Sequence, residues 1–200
     1  CGTSNCHMAV SPQPINVPGV WGPYYGAMLP DYWLAEGGQS AAGALLDWTL
    51  RQSDAWPLLE ATAKTENRNI YAVLNDWLAD LETREPYPTR HLHVLGDHHG
   101  NRSPRANPAA RGAIIGLTLE QGPDALARLY LATLQAIAYG TRHIIDSYAG
   151  QNPGRLQLFH RQDGPPGKAA ALADATAIVQ RHGDSELLVV CDADSLPGEK

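Results

Sequence analysis

From Asp124 to Ala149 the run "DALARLYLATLQAIAYGTRHIIDSYA" carries the strongest helical pattern in the chain. Leu126, Leu129, Tyr130, Thr133, Leu134 and Ile137 recur at three- and four-residue steps, so they share one side of a helix. Asp124 is placed to cap it. Strand candidates flank this helix: "GAIIGLTL" before it, "LQLF" and "ELLVVCDAD" after it. Two earlier segments repeat the helical signature. "SAAGALLDWTLRQS" puts Ala44, Leu45, Trp48 and, more loosely, Leu50 on one stripe, with Ser40 as a cap. "NIYAVLNDWLADLETRE" aligns Ile70, Val73, Leu74, Trp77, Leu78 and Leu81, and Pro86 and Pro88 stop it. An Ala-rich helix, "KAAALADATAIVQ", is expected in the tail. Residues 1–40 read differently. Their Gly, Pro and aromatic residues give turn signals every few positions, which predicts short strands and functional loops. Strands and helices alternate, so the class is α/β.

Composition narrows the function. Two hundred residues, 44% of them hydrophobic, suffice for one domain and an ordinary core. A net charge of -6 argues against a nucleic-acid partner, because phosphate contacts demand a basic face. The 15 Lys and Arg are scattered, and no stretch approaches the ~20 apolar residues of a membrane span, so no membrane partner is expected. Three cysteines, Cys1, Cys6 and Cys191, make no disulfide framework, and a cytoplasmic location is the expectation.

Several short motifs have both a chemical and a plain reading. Gly2-Thr3-Ser4 offers backbone freedom and two hydroxyl donors to a phosphate, or forms an ordinary turn. In "EGGQSAAG", Glu36 and two glycines suit close approach to a ligand hydroxyl, or a turn before a helix. "HLHVLGDHHG" collects His91, His93, Asp97, His98 and His99. A His-x-His pair on a strand faces one way, as a metal site needs. Asp97-His98-His99 also matches the triplet of metal-dependent phosphoesterases, whose earlier aspartate motif has no counterpart here. The plain alternative is a polar loop. Asp192 and Asp194 in "CDAD" suit Mg²⁺ or a solvated strand end. Cys6 and His7, adjacent on a strand, point to opposite faces and make a poor nucleophile pair.

Taken together, "GTSNCHMAVSPQPINVPGVWGPYYGAMLPDYWLAEGGQSAAG", "GDHHGNRSPRANPAARGAIIGLTL" and "LARLYLATLQAIAYGTRHII" resemble the C-terminal half of an FGGY carbohydrate kinase, most closely the ribulokinase-like branch. The resemblance spans residues 1–159. Arg128 departs from it, since a polar or acidic residue is usual there. The resemblance implies a ribonuclease H-like, actin-type ATPase domain, one half of a two-domain enzyme that transfers a phosphoryl group from ATP, with Mg²⁺, to a sugar hydroxyl. Such catalysis is mostly positioning and charge neutralisation. It implies that Gly2, Thr3 and Ser4 contact the phosphates, that Gly43 and Asp47 lie near the nucleotide, and that Glu36 and Gln39 bind the sugar. Arg102, in the "GNRSP" loop, would border the cleft. The leading substrate is a ketopentose such as D-ribulose. The partners implied are that sugar and an N-terminal kinase domain. The catalytic aspartate is expected upstream of Cys1, so none is assigned in this chain. By itself the chain is expected to be nearly inactive, since a general base typically contributes ~10²–10⁴-fold. A binding half-kinase without chemistry is the alternative. After "LQLF" the Gly-Gly loop usual in the family does not follow, so residues 160–200 are expected to form a divergent tail. A shift of reading frame near Phe159–His160 would explain it, and a Gly-Gly motif in another frame is the check.

Overall fold

A computed structural model describes residues 2–151 and the strand backbones at 156–159 and 187–191. The turn-rich start folds into three strands: β1 (Asn5–Ser11), β2 (Trp21–Tyr25) and β3 (Trp33–Gln39). Helices α1 (Gly43–Arg51), α2 (Trp56–Thr65) and α3 (Ile70–Arg84) follow. A short antiparallel pair, β4 (His93–Leu95) and β5 (Ala113–Ile115), leads to the long helix α4 (Pro123–Gln151). Strands β6 (Leu156–Phe159) and β7 (Leu187–Cys191) complete a five-stranded sheet of order β2-β3-β1-β7-β6. Among the described residues of this sheet, β6 and β7 pair in parallel and the other three pairs are antiparallel.

Two cores share α4. Its first half puts Leu126 and Tyr130 among Leu50, Leu59, Val73 and Leu74 of α1, α2 and α3. Its second half lays Ile144 and Tyr148 on Ala9 and Ala35 of the sheet. The close approach needs Gly37. A Cβ there would stand 2.9 Å from both the Ile144 methyl and the Tyr148 hydroxyl oxygen. That hydroxyl donates to the His7 carbonyl at 3.1 Å.

The α/β expectation holds, and so do the helices around Ala44, Ile70 and Leu126 and the strands "LQLF" and "LLVVC". Four details differ. Ser40 does not cap α1; Ala42 holds that position without a side-chain bond. Trp48 leaves the expected stripe and lies exposed, while Leu46 and Thr49 are buried instead, because the core meets α1 one position further round. Asp124 lies inside the first turn of α4 and binds Arg84 rather than capping. Helix α2 was not foreseen, although Trp56, Leu59 and Ala63 carry its buried face and Pro57 opens it. The expected tail helix, Asp192, Asp194 and Cys1 lie outside the described residues.

Candidate functional site

Strand pleating divides the site. Along β3, Ala35, Gly37 and Gln39 face α4, and Leu34 and Glu36 face away from it. Gly2–Ser4 run into β1 at the edge where β3 ends, since Asn5 pairs with Gln39. Helix α1 starts at that same edge. The amides of Ala42 and Ala44 donate to the Thr3 carbonyl at 2.9 and 3.4 Å, and that of Gly43 donates to the Gly2 carbonyl at 2.9 Å. These amides are the donors that a helix start leaves unpaired, so the Gly2-Thr3 backbone itself caps α1. Thr3 and Ser4 are exposed, with the positive end of the helix behind them. The structure thus joins Gly2, Thr3 and Ser4 to Gly43. An anion at this edge would meet the two hydroxyls, because the first amides of α1 already have acceptors.

Glu36 occupies the open face. Its cross-strand neighbours are Met8 in β1 and Trp21 in β2. Arg102 arrives from the loop after β4, and its Nη2 donates to Glu36 Oε1 at 2.5 Å. The pair is partly buried, with 16% of the Arg102 side chain and 28% of the Glu36 side chain exposed. The Arg102 guanidinium also lies over the Trp21 ring, 4.1 Å from its centre, and its Nη1 is 3.7 Å from Cys6 Sγ. An acidic acceptor held by an arginine beside an aromatic face is suited to binding a polyhydroxy compound. Trp21 was missed in the sequence, because only the strand register shows that it stands opposite Glu36.

The other expected residues are placed elsewhere. Gln39 is three residues from Glu36 on one strand and therefore on the opposite face. Its Nε2 donates to the Ile137 carbonyl at 2.9 Å and to Thr141 Oγ1 at 3.0 Å, both on α4. Asp47 lies one turn into α1 and accepts from Arg51 Nε at 2.9 and 3.0 Å. Burial first, and the Asp47 charge second, raise the nearby Tyr71 hydroxyl above its ordinary pKa. The histidines disperse. His98 packs against Trp48, with ring centres 5.2 Å apart and the planes tilted by 49°, and lies where a Cβ on Gly112 would be. His91 and His99 are exposed, and Asp97 accepts from Asn101. Among the described residues no three His, Cys, Asp or Glu side chains converge on a metal position. The Asp97-His98-His99 phosphoesterase reading therefore lacks its geometry. Among the described residues none forms a Mg²⁺ cage either. No helix among the described residues is long and apolar enough to cross a membrane.

Known proteins are similar to this chain in sequence and fold. The family model "FGGY family of carbohydrate kinases, C-terminal domain" matches residues 1–178, a span that runs past residue 159. An FGGY carbohydrate kinase domain-containing protein of Danio rerio is 46% identical over 203 residues, covering 100% of this chain and 35% of the relative. A D-ribulokinase of Saccharomyces cerevisiae is 39% identical over 150 residues, covering 72% of this chain and 21% of the relative. Among solved structures, a xylulose kinase from Rhodospirillum rubrum superposes with a TM-score of 0.53 at 23% identity, over 80% of this chain and 29% of that one. The chain spans about a third of the length of the vertebrate relatives it matches. The fold is the actin-like, ribonuclease H-like one of this family's C-terminal domain. The chain belongs to the FGGY family of carbohydrate kinases, over their C-terminal domain.

Proposed function

We propose that this chain is the C-terminal part of an ATP-dependent kinase for a ketopentose, with D-ribulose the leading substrate. One observation carries the reading: strand β3 holds the Glu36–Arg102 pair on its open face and ends at the edge where the Gly2–Ser4 loop meets the start of α1. A hydroxyl acceptor and a phosphate-binding edge thus lie along one strand. The likeness to a yeast D-ribulokinase supports the sugar class.

Glu36 accepts a sugar hydroxyl and orients the sugar, and Arg102 fixes that carboxylate. The hydroxyls of Thr3 and Ser4 donate to phosphate oxygens, with Gly43 keeping the helix start close to them. Asp47 borders the nucleotide side. The group that takes the hydroxyl proton is the aspartate that the family implies shortly before Gly2, and the domain that closes the cleft is the N-terminal one the family implies. Bound ATP would supply the phosphoryl group. Gln39 anchors α4 under β3 on the opposite face and does not touch the sugar.

The test uses the product of the complete gene, with ADP formation measured against D-ribulose and other ketopentoses. Glu36→Gln keeps the shape and removes the charge. Charged hydrogen bonds contribute roughly 1.5–3 kcal/mol, so kcat/KM for the preferred sugar should fall about tenfold to a hundredfold. Wild-type turnover unaffected by this change would remove Glu36 from the site. ATP binding with no turnover of any sugar would favour the binding half-kinase.

A further inference from the structure

We propose that Trp21 is a positioning residue for sugar binding, acting through Arg102 on Glu36; the proposal rests on the kinase reading above.

Strand register is the first observation. Tyr25 pairs with Trp33 and Tyr24 with Leu34, so a regular ladder would put Gly22 opposite Glu36. A one-residue shift between Trp21 and Tyr24 puts Trp21 there instead. Bulges of this kind re-aim a side chain. Here the shift turns Trp21 onto the same face as Glu36. Gly22 permits it: its φ is +107°, and a Cβ would stand 2.4 Å from the Leu34 carbonyl oxygen.

The second observation is how little else fixes Arg102. Its Nη2 holds Glu36 Oε1, and its Nη1 has only a thiol at 3.7 Å. Its Nε is buried with no hydrogen-bond partner among the described residues. One strong bond leaves a planar guanidinium free to pivot about it. The Trp21 ring, 4.1 Å below, sets the plane. With the plane set, Arg102 holds one carboxylate oxygen of Glu36 and leaves Oε2 for a sugar hydroxyl. About half of Trp21 is exposed, more than a residue kept for core packing would leave.

Steady-state kinetics on the product of the complete gene test this, with saturating ATP and Mg²⁺ and varied D-ribulose. Trp21→Ala should raise KM about tenfold, the scale of one cation–π contact, with kcat changed less than about twofold. Trp21→Phe should recover most of the loss. The double variant Trp21→Ala/Arg102→Ala should match Arg102→Ala alone within about twofold, because Trp21 acts only through Arg102. Should Trp21→Ala fail to fold, Trp21→Leu with and without Arg102→Lys decides: leucine keeps bulk but has no ring face, so it should raise KM beside arginine and add nothing beside lysine, which cannot stack as a plane. Additive losses, or a fall in kcat at constant KM, overturn the proposal while leaving the kinase reading intact. A wild-type protein that turns over no ketopentose overturns both.

Discussion

The three strands β1, β2 and β3 present two unlike faces. Under α4, His7, Ala9 and Ala35 are buried, and Tyr148 and Ile144 fill the space that Gly37 leaves. On the other face Val10 and Leu34 pack with Leu29 at one end, but around Glu36 the sheet is open: Trp21 is 53% exposed and the Glu36–Arg102 pair is only partly covered. Neighbouring residues of one motif therefore do different work. Glu36 serves the open face, while Gly37 and Gln39 serve the sealed one. A short string of residues on a strand is two sites interleaved, and the pleat decides which residue joins which.

If that division is right, the largest stability losses come from the sealed face. Tyr148 is 1% exposed and packs beneath β1 and β3. Tyr148→Ala should cost about 3–5 kcal/mol, the range for a large aromatic removed from a core, as read from chemical unfolding. Trp21→Ala on the open face should cost under about 1 kcal/mol in the same measurement. Equal losses from the two would break the comparison.

Gln39 sharpens it further, because it stands beside the Glu36 motif yet faces α4. Gly140 makes room for it; a Cβ there would approach Gln39 Oε1 to 2.5 Å. Gln39→Ala removes the bonds to Ile137 and Thr141 and should lower stability by roughly 1–2 kcal/mol. KM for the sugar should stay within about twofold of the parent. A raised KM at unchanged stability would move Gln39 back into the substrate site.

Much of this frame is legible locally. Helix α3 follows its pattern closely: Val73, Leu74 and Leu81 are buried, and Ile70, Trp77 and Leu78 pack beside the same core. Its Asn69 cap is also a local signal, with the side chain accepting from Tyr71 N. The start of α1 is not local. Its first amides go to Gly2 and Thr3, some forty residues away, so Ser40 is left outside the cap. Helix α2 carries too short an apolar pattern to be legible, because its buried face is Trp56, Leu59 and Ala63, with Leu58 exposed beside it. At the site, family resemblance reaches Glu36 and Arg102 one by one. Their pairing across 66 positions, and the bulge that brings Trp21 to them, exist only after the sheet has formed.

The smallest effect is expected where neither face is involved, at the Arg84–Asp124 pair joining α3 to the start of α4. Arg84 Nη1 and Nη2 donate to the two Asp124 oxygens at 2.7 and 2.9 Å. These bonds hold the Asp124 carboxyl below its ordinary pKa, against a smaller opposing effect of burial. A carboxyl lowered by folding stabilises the native state above its unfolded pKa, and the contribution fades as pH falls through the lowered native value. Both side chains are substantially exposed, so water and salt screen the pair and the gain is modest. Arg84→Ala should move the Asp124 titration, followed by NMR, up toward the ordinary range. The stability difference from the parent should be present at neutral pH and shrink on acidification. Sugar KM should not change, because the pair touches neither the Glu36 face nor the Gln39 anchor. An Asp124 titration indifferent to Arg84 would show that the bidentate pair does not persist in solution, and the helix junction would then depend on the apolar contacts of Leu126 and Tyr130.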